Sequence, residues 1–235
     1  FLLGGYLTLM FYQAMRLNFV FAFVLGILAT ATVGFMIERT AVRRVRVTNA
    51  PRLSGMITTL AISTILDNAI ILIFGSETKA YPRPVDFGKV YIGNVVIHRL
   101  QIYILLVVFA LVAVLSVLVY GTKLGRAMRC VSQNAEVSKL MGIDVNKVVM
   151  ITFMLSAALA CVAGTIIGLY NQSIDVSLST AVGNKTFAAA VLAGVGVIPG
   201  AIISGLAIGI IESLVSAYLS AGYKDAIAFA ILIVV

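Results

Sequence analysis

Apolar runs about 20 residues long recur along this chain, and few folds can hold them. Val20–Ile37, Leu53–Phe74, Ile102–Tyr120, Val148–Leu169 and Ala201–Leu219 all belong to this class. A helix rising about 1.5 Å per residue needs roughly 20 residues to cross a hydrocarbon layer of about 30 Å. The expected fold is therefore all-α, a polytopic transmembrane helix bundle. Composition agrees, because 11% of the 235 residues are charged and 61% hydrophobic, whereas soluble domains carry about 25% charged residues. No polar stretch is large enough for a second domain, so 1–235 is expected to be a single membrane-spanning domain. The chain opens at Phe1 and stops at Val235 inside an apolar run, and is read as truncated at both ends. A signal peptide is not assessable from such a segment.

The net charge of +8 invites a nucleic-acid partner, but the basic residues do not share one face. Apart from the lone Arg16, Lys185 and Lys224, they fall in three loops between spans: Arg39, Arg43, Arg44, Arg46 and Arg52; then Lys79, Arg83, Lys89 and Arg99; then Lys123, Arg126, Arg129, Lys139 and Lys147. Loop charge of this kind orients a membrane protein and meets anionic headgroups. The lipid bilayer is the expected partner, with no nucleic acid. The first loop is the most densely basic and is read as cytoplasmic. The second, one span on, is then external, and the third cytoplasmic again.

Between the spans, Phe1–Ala14 reads as the tail of a spanning helix and Met15–Asn18 as a turn. Glu38–Arg52 reads as a basic loop in which Asn49-Ala50-Pro51 stops one helix before the next begins. Gly75–Arg99 is polar, and the loose alternation of Lys89–Ile97 suggests a short strand or hairpin outside the membrane. Asn171–Lys185 reads as another outside loop. Thr186–Leu219 is too long for one span, and Ile198-Pro199-Gly200 is expected to break it; a last helix starts near Ala226. Small residues recur every four positions at Ala22, Gly26, Thr30 and Gly34, at Ser156, Ala160, Gly164 and Gly168, and at Ala201, Gly205, Gly209, Ser213 and Ala217. Such stripes let helix backbones approach closely in lipid. The last is read either as packing or as the border of a pathway.

Enzyme chemistry finds little footing. His98 is the one histidine, and Cys130 and Cys161 lie far apart without metal-ligand spacing. No G-x-x-x-x-G-K-[ST] phosphate loop is present, and Gly194-Val195-Gly196 does not follow a strand. No metal or cofactor is expected, and any nucleotide hydrolysis belongs to a partner. Asp67 and Glu212 are the acids set in apolar runs, where an ionised carboxylate needs water or a partner. Each is read as either a structural hydrogen bonder or a pathway residue. No Lys or Arg is expected to face them within a span, so ion coupling is not required.

The charged segment Gly121–Lys147 is the sharper signal. Ala127–Met141 reads as a surface helix stopped by Gly142, with Asp144 or Asn146 capping the next span. An exposed helical hairpin on a protein otherwise hidden in lipid points to docking. Glu136-Val137-Ser138-Lys139-Leu140-Met141-Gly142 keeps the Glu and Gly spacing of E-A-A-x-x-x-G, a helix with which membrane subunits of ABC importers engage their ATPases. Val137 and Ser138 replace the two alanines.

Over nearly its whole length the chain resembles the branched-chain amino-acid permeases of the LivH type. The resemblance lies in Arg126–Gly142 with LMGID, in TFMLSAALACVAG, in Gly4-Gly5-Tyr6, and above all in KTFAAAVLAGVGVIPGAIISGLAIG from Lys185 to Gly209. It implies a translocation subunit in a bacterial inner membrane, not itself an enzyme. A second permease subunit, cytoplasmic ATPase subunits and a periplasmic or extracellular substrate-binding protein would complete the importer. Arg126, Arg129, Glu136, Lys139, Met141, Gly142 and Asp144 are the candidate ATPase-coupling residues. Asp67, Lys185, Gly194, Gly196, Pro199, Gly200 and Glu212 are the pathway candidates, because helix ends exposed by a break can meet a polar solute in the membrane. Branched-chain amino acids are the expected substrate. Urea, short amides or another small polar solute remain alternatives, as does a secondary transporter or channel, which would require paired ionisable groups within the membrane.

Overall fold

The computed structural model describes residues 1–15, 18–47, 52–81, 89–92, 95–194 and 198–218. Each expected apolar run is a helix. In chain order the helices are α1 (Leu2–Met15), α2 (Phe19–Ile37), a π turn (Glu38–Val42), α3 (Arg43–Val47), α4 (Arg52–Phe74), α5 (Arg99–Gly121), α6 (Lys123–Gln133), α7 (Ala135–Leu140), α8 (Val145–Asn171), α9 (Val176–Ala193) and α10 (Ile198–Tyr218). Among the described residues, five segments are long and apolar enough to cross a membrane: Phe19–Arg46, Ile57–Phe74, Arg99–Gly121, Val145–Asn171 and Gly200–Tyr218. The all-α class holds. The described short strands lie outside these spans. The expected hairpin is β2 (Lys89–Ile92) paired antiparallel with β3 (Val95–His98), while β1 (Lys79–Ala80) pairs with β4 (Ser173–Ile174).

Contacts divide the chain into two compact units, Phe1–Asp175 and Val176–Val235. The first unit is built on α1, α2 and α8. The buried residues of α2 are Ala22, Gly26, Thr30 and Gly34, the stripe expected from spacing. A Cβ on Gly34 would stand 2.6 Å from that of Ala157, and one on Gly26 would collide with Thr8. Only a bare Cα lets these helices approach so closely. On α8 the buried face is Cys161, Gly164, Thr165 and Gly168, whereas Ser156 is exposed. The stripe expected there is thus turned by one position over its first half. Small polar groups fill the resulting seam: Thr8, Thr30 and Thr165 return their hydroxyls to the carbonyls of Gly4, Gly26 and Cys161 at 2.9, 2.7 and 2.9 Å. Each buried hydroxyl is thereby satisfied without leaving its own helix.

The two ends of this unit differ. At one end β1 and β4 pair, and the Tyr81 and Tyr6 hydroxyls donate to the carbonyls of Gly5 and Ile174. At the other lie the π turn and the start of α8, where Glu38, Arg43, Asp144, Asn146, Lys147 and Met150 line a cavity of about 200 Å³. The first basic segment and the charged hairpin therefore share one end, as the alternation of loops required. Of the expected loop Glu38–Arg52, residues 38–47 are helical instead. The helix runs on through the π turn and α3 to Val47, because Glu38 folds inward (2% exposed) and forms an ion pair with Arg46. The Asn49-Ala50-Pro51 break and the expected helix near Ala226 lie outside the described residues.

The described residues of the second unit form two packed helices, α9 and α10. Asn171–Lys185 was expected outside the membrane, but α9 starts at Val176 and carries Lys185 at its middle. Nor does the chain break at Ile198-Pro199-Gly200, which form the first turn of α10, a place where proline is tolerated. Gly194, with φ +78°, ends α9 instead. Ser204, Ile208 and Val215 are the buried residues of α10, and Ser204 Oγ donates to the carbonyl of Ala189 at 2.8 Å. The stripe Ala201, Gly205, Gly209, Ser213 and Ala217 lies on a neighbouring, exposed face.

Candidate functional site: an exposed hairpin and an interhelical ion pair

The hairpin that joins α5 to α8 is built from caps. Thr122 accepts from the Gly125 N–H at 3.0 Å and starts α6. Where one helix was expected over Ala127–Met141 there are two, because Asn134 turns its side chain back as an N-cap. Its Oδ1 accepts from the N–H groups of Glu136 and Val137 at 3.0 and 3.2 Å, which starts α7. The α7 helix ends at Gly142, with φ +81°. There the Ile143 N–H reaches the Ser138 carbonyl and the Gly142 N–H the Lys139 carbonyl, both at 3.0 Å. This is the Schellman arrangement that glycine favours.

Asp144, one of two expected caps, starts α8 by accepting from the Lys147 N–H at 3.2 Å. That backbone bond, and then the Lys147 ammonium, hold its carboxyl below the usual carboxylate value of 3.8.

These caps present a defined surface. Arg126, Arg129, Glu136, Lys139, Met141, Gly142 and Asp144 are all exposed. Arg129 also lies over the Tyr120 ring, 5.1 Å from its centroid, which ties α6 to the end of α5. Ser138, in place of the second alanine of the motif, points inward and donates to the Asn134 carbonyl at 2.8 Å. Leu140 and Met141 project outward, 87% and 77% exposed, with Val137 beside them. Sequence reasoning chose Met141 but missed Val137 and Leu140, because the break at Asn134 sets which face of α7 turns outward. A depression of about 410 Å³, lined from Val131 to Glu136, marks the elbow between α6 and α7.

The pathway candidates separate. Asp67 is half-buried on α4 and has electrostatic or hydrogen-bonding company. Gly194 and Gly200 shape the turn of the second unit, where a Cβ on Gly200 would stand 2.7 Å from the Ala193 carbonyl oxygen. Pro199 lies in the first turn of α10, and Gly196 is outside the described residues. Lys185 and Glu212 come together. Lys185 Nζ donates to Glu212 Oε1 at 2.8 Å, and the two side chains are 23% and 27% exposed. The expectation that no base faces Glu212 is thereby corrected. Lys185 had been set in a loop, whereas it lies at the middle of helix α9.

The model of the family "branched-chain amino acid transport system / permease component" matches residues 1–235. The chain belongs to this permease family. It is 38% identical over 218 residues to the high-affinity branched-chain amino acid transport system permease protein LivH of Escherichia coli strain K12, covering 91% of this chain and 70% of that protein. To the permease protein BraD of Pseudomonas aeruginosa it is 35% identical over 233 residues, covering 97% and 75%. A probable LivH of Methanocaldococcus jannaschii is 38% identical over 117 residues, half of this chain and 37% of that one. No solved structure matches.

Proposed function

We propose that this chain is a multi-pass inner-membrane permease subunit of an ATP-driven importer that translocates branched-chain amino acids. The capped, exposed hairpin α6–α7 at the basic end of the first unit carries this reading. Its relatives are named for branched-chain amino acid transport. A charged elbow with an apolar tip suits a cleft on a soluble partner, and burying Leu140 and Met141 there supplies a hydrophobic anchor. Cytoplasmic ATPase subunits dock on Arg126, Arg129, Glu136, Lys139, Met141, Gly142 and Asp144. A second permease subunit and an external substrate-binding protein complete the importer. Nucleotide binding moves the ATPases, and the hairpin passes the motion through the Asp144 cap to α8 and its neighbour α2. The helices rock between outward-open and inward-open states, each with its own contacts to the partners. The substrate undergoes no covalent change. Asp67, Lys185, Gly194, Gly196, Pro199, Gly200 and Glu212 are the pathway set within this reading.

One observation favours a second reading. An ion-coupled secondary transporter needs paired ionisable groups within its helices, and Lys185 and Glu212 are paired between α9 and α10. Co-purification of tagged full-length protein, with and without Glu136→Ala plus Gly142→Pro, separates the two. The importer reading expects ATPase subunits captured by the unmodified protein and lost from the variant. Uptake that needs no ATPase and collapses with the proton gradient would favour the secondary transporter.

A further inference from the structure

Helix α4 carries an exposed polar face inside a segment long and apolar enough to span, Ile57–Phe74. Only Ile70 is buried in that segment. Ser63 lies six positions after Ile57, and Asn68 six before Phe74. Each is therefore about 9 Å from the nearer end at roughly 1.5 Å per residue. Thr59, Ser63, Thr64 and Asn68 are all exposed. Their i, i+4 spacing sets Thr59–Ser63 and Thr64–Asn68 as adjoining rows on one side of the helix. Asp67 continues the first row, half-buried and with interactions of its own.

The polar groups on this face are only partly used. Thr64 Oγ1 donates to the Leu60 carbonyl at 3.2 Å, and the Asn68 amide donates to the Thr64 carbonyl at 2.7 Å. That leaves the Asn68 amide oxygen and a second N–H. The Ser63 hydroxyl makes no hydrogen bond among the described residues. Helix α5 shows the contrast. It has no buried residue either, yet its exposed side chains from Leu105 to Val117 are all apolar. Such a face suits lipid. Unfilled donors and acceptors do not, because hydrocarbon offers them no partner. Nor does the α4 face suit close contact with another helix, which small residues favour. Ile57, Leu60 and Ile65 stand among the polar groups, 66%, 67% and 66% exposed.

We propose that Ser63, Thr64 and Asn68 form a wall of the translocation pathway, along which the polar head of an aliphatic amino acid passes. This rests on the permease reading above. The α-carboxylate accepts from the Ser63 hydroxyl and the unused Asn68 N–H. The α-ammonium donates to the Asn68 amide oxygen and to Thr64 Oγ1, while the alkyl side chain lies against Ile57 and Leu60. Uncharged groups replace the solute's water in steps and hold no charge that would trap it.

The test uses the full-length permease assembled with its partner subunits in vesicles, in a Cys130→Ser background. Ser63→Cys and Asn68→Cys are compared with Leu106→Cys, which lies on the apolar face of α5. A charged methanethiosulfonate is added on both sides. It is expected to modify the two α4 cysteines about tenfold faster than the one on α5, the effect of hydrocarbon raising a thiol pKa by one unit. Leucine is expected to slow both fast reactions and to leave Leu106→Cys unchanged.

Reaction at Ser63→Cys no faster than at Leu106→Cys overturns the proposal and gives this face to a neighbouring helix or to lipid. Fast reaction that leucine does not slow also overturns it, and makes the face a water-filled crevice only. Ser63→Cys is nearly isosteric, so it decides the outcome where Asn68→Cys fails to assemble. If ATP-driven leucine uptake is intact while neither α4 cysteine reacts, the wall fails and the importer reading stands. If the unmodified complex shows no such uptake while leucine still protects Ser63→Cys, the importer reading fails and the wall stands.

Discussion

Glu38 is the most deeply buried acid among the described residues, and it was read from sequence as the start of a loop. It faces Arg46 across the π turn, and π insertions in membrane helices are frequent at functional sites. Removing one partner of a fully buried ion pair costs about 3–5 kcal/mol. Arg46 is 27% exposed, so Glu38→Ala is expected to cost less, about 2 kcal/mol. Thermal unfolding in detergent checks this, and Glu38→Ala with Arg46→Met should recover most of the loss. Asp144 gives a pH-dependent counterpart. Its folded pKa lies below the usual 3.8, so its cap contributes fully above that value and is lost as pH falls through the folded pKa. Amide protection at Val145–Lys147, corrected for intrinsic exchange, is expected to drop in that acid window. Asp144→Asn should abolish the pH dependence while still capping.

At the scale of elements, two glycine stripes that look alike in sequence make opposite predictions. Gly34 on α2 meets Ala157 of α8, so Gly34→Val overpacks the seam and is expected to cost about 1–3 kcal/mol, partly restored by Ala157→Gly. Gly205 on α10 meets nothing within 4 Å. There Gly205→Ala is expected to be neutral or stabilising by up to about 1 kcal/mol, since glycine is a poor helix former. Equal losses at both positions would show that the α10 stripe is packed against something in the membrane. The hairpin was largely legible because its signals are local: Gly142 needs a positive φ and Asp144 needs only the N–H of Lys147. The break at Asn134 was missed, because the same residue type serves inside a helix or as its cap, according to where neighbouring helices force the chain to turn.

For the whole molecule, the two cysteines report orientation. Cys130 is exposed on the hairpin, and Cys161 is fully buried in the α1–α8 seam. A membrane-impermeant maleimide is expected to label Cys130 in inverted vesicles and not in intact cells, while Cys161 reacts only after denaturation. Labelling of Cys130 from outside would reverse the orientation drawn from the basic loops, and with it the side on which ATPases could dock. The expectation that this end faces the cytoplasm rests on the basic charge of Arg39–Arg46 and of Lys123–Lys147 at a common end.

The sequence alone determined the all-α membrane class, four of the five long spans to within a few residues, and the α2 packing stripe. Apolar length and helical spacing are one-dimensional properties, and a bilayer turns them directly into structure. The tertiary structure decided which face of α8 and α10 each neighbour covers, the inward turn of Glu38, and the meeting of Lys185 with Glu212 across 27 positions. Small residues permit a close approach without naming the neighbour. A charge finds its partner only once two helices have fixed their rotation and depth against each other.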